Sequence, residues 1–131
     1  MAGIIGVGGI FLRSSQPDSA ELADWYKSKL GFTTDWDHGK AFLNRDLKGN
    51  DANLIWSIHK ADTKYFGKDD QQYMVNYMVD DLDAYLVILE ESGVRILPDR
   101  DDSEYGKFAW IEDPNGVRIE LWQPPAESPN L

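Results

Sequence analysis

One pattern constrains this chain more than any other: its strand and helix signals run through the same order twice, about sixty residues apart. Residues 4–13 read as a strand, with β-branched and aromatic residues and close-approach glycines at 6, 8 and 9. Pro17, followed by Asp18 or Ser19, opens a helix whose apolar face is Leu22, Trp25, Tyr26 and Leu30, and Gly31 stops it. Residues 32–36, 40–43 and 53–59 read as three strands. A polar loop, 62–72, then carries the aromatics Tyr65 and Phe66. The order restarts with a strand at 73–79, followed by a helix capped by Asp80 and Asp81. Leu82, Tyr85, Leu86 and Leu89 form its face, and Gly93 ends it. Strands at 94–97, 107–111 and 117–122 follow, the last two joined by the turn Asp113-Pro114-Asn115-Gly116. Gly31 answers Gly93, Asp18 answers Asp80 or Asp81, and the strand at Asn53 answers the one at Val117. The expectation is an α+β domain of two tandem βαβββ modules.

At 131 residues the chain fits one domain, spanning 1–125 with modules at about 4–60 and 73–124 and a flexible tail at 126–131. That length buries an ordinary core without staples. The absence of cysteine removes disulfide scaffolds, zinc ribbons and thiolate catalysis together. A formal charge of −10 repels phosphate backbones and anionic membranes, so neither nucleic acid nor a membrane is an expected partner. The apolar start, residues 1–12, lacks a preceding basic region and a cleavage pattern, and no window approaches the roughly 18 apolar residues of a membrane span. A cytoplasmic location is the expectation.

Three fragments carry a family resemblance. They are Trp25-Tyr26 with Lys29-Leu30-Gly31-Phe32, then Val79-Asp80-Asp81-Leu82-Asp83, then the run from Asp113-Pro114-Asn115-Gly116 to Ile119-Glu120-Leu121. In this order and at these spacings the chain, from about Ile4 to Pro124, resembles the vicinal oxygen chelate superfamily of glyoxalase I, extradiol dioxygenases, and fosfomycin- and bleomycin-resistance proteins. The resemblance implies a curled mixed sheet around a small-molecule cavity, and a homodimer. Strand alternation then assigns faces. Ile10 and Leu12 go to a helix, leaving Gly9, Phe11 and Arg13 inward; Val75, Tyr77 and Val79 go out, leaving Met74, Asn76 and Met78; Ile119 and Leu121 go out, leaving Arg118, Glu120 and Trp122. Trp56, Phe108 and Trp110 are expected at the cavity as well.

In that family four His, Glu or Gln side chains hold a divalent metal. The matching positions here are Gly9, Trp56 (or Ile55, one step away in register), Met74 and Glu120, and only Glu120 ligates a hard or borderline ion. The resulting expectation is no metal and no cofactor. Asp35, Asp37 and His38 form a superficially metal-like run that also reads as solvated turn charge. What remains is a tryptophan-rich small-molecule site built from Phe11, Trp56, Met74, Met78, Phe108, Trp110 and Trp122, with Arg13, Asn76 and Arg118 as polar points. Glu120 has two readings: a structural ion pair with Arg13 or Arg118, or a desolvated general acid or base. Three functions follow as alternatives. The first is metal-independent binding of an apolar or aromatic molecule; the second is lyase, isomerase or dioxygenase-type chemistry through Glu120 or an atypical metal site. The third is a regulatory module with a vestigial cavity. Tyr65 and Phe66 fit either a lid over the cavity or a dimer seam.

Overall fold

The second helix shows how the sequence builds its elements. In the computed structural model, which describes residues 1–15 and 19–126, the side chain of Asp81 accepts a hydrogen bond from the Ala84 amide at 3.2 Å and so caps α2 (Leu82–Glu91). Gly93 just beyond it adopts φ 85°, the left-handed conformation glycine takes at helix ends. Leu82 and Leu89 are buried against Val79, Ala109 and Leu121, with Tyr85 and Leu86 packed at the margin. The first helix, α1 (Ala20–Leu30), ends at Gly31 with φ 73° and is entered through Ser19, whose side chain makes no capping bond. Pro17 and Asp18, expected to open it, lie outside the described residues, as does most of the expected tail.

The face of α1 differs from the expected one. Leu22 and Tyr26 pack with buried Ala23, but Trp25 and Leu30 stand 48% and 54% exposed. Ala23, having almost no side chain, sits against the sheet, and the helix turns Trp25 outward, where its ring lies edge-on to Tyr26 at 5.2 Å.

The strands are β1 (Ile4–Arg13), β2 (Gly39–Arg45), β3 (Asp51–His59), β4 (Tyr73–Val79), β5 (Arg95–Ser103), β6 (Gly106–Glu112) and β7 (Arg118–Gln123). They form one open, mixed sheet in the order β2-β3-β1-β4-β7-β6-β5. β1 and β4 meet antiparallel at its centre, and each pairs in parallel with the last strand of its own module, β3 and β7. This is the tandem arrangement that the repeat implies, with two departures.

Residues 32–36 make no strand; only Trp36 bridges to Gly39. Phe32 is drawn instead into the aromatic cluster under α1, 5.2 Å from Tyr26 and 4.8 Å from Trp56. The chain then reverses at once, with the Asp35 amide on the Gly39 carbonyl, before a ladder can form. Conversely, the acidic run at 99–103, which lies between the strands expected at 94–97 and 107–111, extends β5 and pairs with β6 past an irregularity between Ile96 and Arg100. Arg100 lies 3.0 Å from Asp83 and 2.6 Å from Asp102, and Lys107 also reaches Asp83 at 3.0 Å. The Arg100–Asp102 pair and Arg118 on Asp99 at 3.2 Å offset the self-repulsion of the run, and ladder hydrogen bonds override its poor strand propensity.

One register correction bears on function. Trp56, expected inward, lies on the opposite face, buried among Leu12, Ala23 and Ile58 beneath α1. Ile55 takes the inner position, because β1 and β3 align Gly9 with Ile55 and Ile10 with Trp56. Ile10 itself, expected under a helix, is 37% exposed.

These placements predict that Trp56→Ala costs about 3–5 kcal/mol through the cavity it leaves. Trp25→Ala is expected to stay within about 0.5 kcal/mol of the parent. Urea unfolding of the two variants beside the parent checks both.

Candidate functional site

The inner face is organised around Glu120. The ladder puts Asn76 of β4 beside it on one side and Trp110 of β6 on the other. Only 1% of Glu120 is exposed. Asn76 Nδ2 donates to its Oε1 at 2.6 Å, and Trp110 Nε1 donates to its Oε2 at 3.0 Å. The phenol of Tyr65, from the loop between the modules, donates to the same Oε2. Burial raises the Glu120 pKa above the ordinary carboxylate range; the three donors, and the more distant charge of Arg118, pull the other way. The Tyr65 hydroxyl is driven far above its usual range, first by burial and then by the neighbouring carboxylate. Its ring nonetheless reaches solvent along one edge, leaving the residue 37% exposed.

Neither expected ion pair with Glu120 forms. Arg13 is buried and used entirely by the loop: its Nε donates to the Gln71 carbonyl at 2.9 Å. Its two terminal nitrogens reach the carbonyls of Ala61 at 2.6 Å, Thr63 at 3.1 Å and Lys68 at 2.9 Å. The guanidinium also lies over the Phe66 ring, 5.1 Å from its centroid. Arg13 therefore shapes the loop that delivers Tyr65 and lies away from the pocket. Arg118 lies over the Trp110 ring at 5.2 Å and donates to Asp99 at 3.2 Å. Gln71, unremarked in the sequence, joins the loop to β7 by accepting from the Arg118 amide at 2.8 Å and donating to the Arg118 carbonyl at 2.9 Å.

Above Glu120 opens a pocket of about 200 Å³. Phe11 and Ile55 wall it from the first module, Phe108 and Trp122 from the second, with Asn76 and Glu120 at the buried end and Tyr65 and Tyr105 at the rim. Phe108 and Trp122 stack 6.0 Å apart and nearly parallel, at 9°. The Trp122 indole is oriented by a 2.8 Å hydrogen bond from Nε1 to the Tyr105 carbonyl. Gly8 completes the wall: a Cβ there would stand 2.4 Å from Asn76 Oδ1 and 2.8 Å from Trp122 Cε3. Only glycine leaves this space open.

Met78 lies outside this pocket and lines a larger polar cleft, about 400 Å³, that shares Tyr105 and Trp122 and is edged by Asp46, Lys48 and Asp80. Met74 is fully buried with Phe11, Phe66 and Trp110, behind the pocket. The structure thus brings Phe11, Asn76, Phe108, Glu120 and Trp122 to one pocket. Trp110 stands directly behind them, and Arg13, Trp56, Met74, Met78 and Arg118 go to other surroundings. Ile55 is the sequence's alternative to Trp56, and Tyr65 is a loop aromatic that the sequence leaves open between a lid and a dimer seam. Gly8 belonged to a glycine-rich stretch, whereas Tyr105 carried no signal at all.

The residues do not fit the metal that the fold family implies. Three hydrogens, from Tyr65, Asn76 and Trp110, point at the carboxylate where a cation would have to sit. Among the described residues no group of three or more His, Asp or Glu is placed to hold a metal ion, which includes the run at Asp35, Asp37 and His38.

An α+β chain of paired modules meeting at β1 and β4, with a pocket on the inner face of one open sheet, defines a paired-module class of fold. The chain belongs to the Glyoxalase/Bleomycin resistance protein/Dioxygenase superfamily, whose family model matches residues 15–121. Among solved structures it is similar to a member of that superfamily from Vibrio splendidus 12B01, at 13% identity and TM-score 0.61 over 91% of this chain and 98% of that one. It is also similar to methylmalonyl-CoA epimerase from Mycobacterium tuberculosis, at 21% identity and TM-score 0.55 over 93% and 89%. A third likeness is 2,2',3-trihydroxybiphenyl 1,2-dioxygenase from Sphingomonas wittichii strain RW1, at 16% identity and TM-score 0.55 over 97% of this chain and 43% of that one. At such identities these likenesses show the fold. No curated protein matches the sequence.

His59 stacks flat on Tyr65, with centroids 5.4 Å apart and planes at 3°, and its Nε2 is 3.2 Å from Ser57 Oγ. Burial, then the charge of Arg13, lowers its pKa below the ordinary 6.5. A lowered folded pKa means that the unfolded chain binds the proton first. The neutral imidazole's contribution is therefore complete above pH 6.5 and is lost as pH falls through the folded value. Glu120, with a raised pKa, has the opposite sign: its contribution is full below 4.5 and lost as pH rises. His59→Phe, which keeps the ring contacts, is expected to lose less stability than the parent between pH 7 and pH 5. Urea unfolding at the two pH values measures the difference.

Proposed function

We propose that this chain binds a small, flat apolar or aromatic molecule in the Phe108–Trp122 pocket without a metal ion. The observation that carries this reading is a pocket with aromatic walls whose one buried carboxylate is already engaged by three donors of the chain. Stacking on Trp122 and burial against Phe11, Ile55 and Phe108 would supply the affinity. An apolar cavity of about 150 Å³ takes benzene, so the volume here suits one ring with a small substituent.

Thermal unfolding of the purified protein, titrated with Zn, Ni, Mn and Fe(II) and backed by metal analysis, tests metal independence. The expected result is no stoichiometric metal and no shift in Tm, whereas indole raises Tm by occupying the native pocket. A bound metal with a shift of several degrees would return glyoxalase- or dioxygenase-type catalysis to the front. Trp122→Ala is expected to weaken indole binding about tenfold, read by calorimetry. Failure of every aromatic probe to bind would favour a vestigial cavity. The reading includes a homodimer, checked by light scattering.

A second reading, proton transfer by Glu120, is favoured by burial, which moves its pKa upward, the direction that general acid or base work requires of a carboxylate. Against it stands the engagement of Tyr65, Asn76 and Trp110 with Glu120 itself, which leaves only the second Asn76 N–H among their donors for an oxyanion.

A further inference from the structure

The unpaired hydrogen-bonding groups at the buried end of the pocket are mostly of one kind. The Trp122 N–H is taken by the Tyr105 carbonyl, and the Tyr65 O–H and one of the two Asn76 N–H groups are taken by Glu120. Apart from the second Asn76 N–H, what is left accepts. A carboxylate offers about four lone-pair sites. Oε2 of Glu120 receives two donors and Oε1 only one, so one site on Oε1 is free. Asn76 is 2% exposed, and its Oδ1 is buried with no partner. The amide orientation follows from Glu120: the nitrogen must face the carboxylate, which turns the carbonyl toward the space that Gly8 leaves open in the pocket wall. A buried, unpartnered acceptor of this kind is costly unless something donates to it.

The surrounding charge has a matching sign. The guanidinium of Arg118, nearest to Glu120, is paired with Asp99. Arg13 is occupied by loop carbonyls. Asp101 lies close enough for its charge to act on Tyr65, and the whole chain carries −10. A ligand anion would meet acceptors and negative charge, and a ligand cation would meet both with favourable sign.

We propose that the pocket selects flat ligands bearing N–H or O–H donors, above all a protonated arylamine or aryl amidinium, which donates to Glu120 Oε1 and Asn76 Oδ1 while its ring lies against Trp122. This rests on the reading of the chain as a small-molecule binder and adds the ligand's chemical class. Carboxylates and phosphates of the same size are disfavoured by the same geometry, because they bring negative charge and further acceptors beside Glu120 and Asn76 Oδ1. Tyr105, which also lines the pocket, is half-exposed.

The test is a series of one-ring probes of nearly equal shape, benzamidine, phenol, toluene and benzoate, titrated into the full chain at pH 7. Amide-detected NMR follows the Trp110 indole and the Asn76 side-chain signals. Benzamidine is expected to bind tightest, at least about tenfold better than toluene, with phenol between them and benzoate without saturable shifts. Asn76→Leu is expected to remove most of benzamidine's advantage over toluene. If benzoate binds as well as benzamidine, or all four bind alike, the donor selectivity is wrong and the binding reading stands. If none of the four binds, the binding reading falls and takes this inference with it. The parent protein decides these outcomes even if the Asn76 variant does not fold.

Discussion

A carboxylate removed from water needs hydrogen-bond partners, and in this molecule the partners of Glu120 come from three separate parts of the chain. β4 supplies Asn76, β6 supplies Trp110, and the inter-module loop supplies Tyr65. Desolvating an ionised carboxylate costs several kcal/mol unless such donors converge on it. Each charge-assisted bond returns about 1.5–3 kcal/mol of that cost. The sheet can therefore bury Glu120 only in a register that aligns Asn76, Trp110 and the loop, and that register also sets the walls of the pocket above it.

The loop that delivers Tyr65 has few ways to satisfy its own backbone. Arg13 solves this by donating to four of its carbonyls from the end of β1, while Phe66 anchors beneath the guanidinium and is fully buried. Chemistry that a cavity arginine would offer a ligand is thereby withdrawn from it. Arg118, stacked on Trp110 and paired with Asp99, is withdrawn in the same way. Both cations that alternation places on the inner face are thus held by other partners, and the function proposed for the pocket depends on that.

Much of the fold was legible because its signals are local. Caps at Asp81, stops at Gly31 and Gly93, and the Asp113–Gly116 turn act within a few residues, and period-two alternation placed Asn76, Phe108, Glu120 and Trp122 on one face. Reading failed where a side chain had two apolar environments open to it. Trp56 and Ile55 are both hydrophobic neighbours on β3, and only their pairing with β1 decides which goes under α1. Trp25 satisfies the helical spacing as well as Tyr26 does, yet Ala23 proves the better surface against the sheet. The acidic run at 99–103 reads as loop by composition because the cation that meets Asp99, Arg118, comes from β7 and is brought there only by packing.

The sequence by itself determined the repeated order of elements, the turns between them, the loss of ligating side chains at three of the four family metal positions, and the acidic balance of the chain. These are properties of residue type and spacing, and they persist whatever the chain packs against. Tertiary structure alone decided that Glu120 is held by neutral donors rather than by arginine, that Ile55 rather than Trp56 faces the pocket, and that Asn76 keeps one acceptor unpaired there. The reason is physical: each depends on which strand lies beside which, and in what register. A one-residue slip exchanges the two faces while leaving the local signals of every element unchanged.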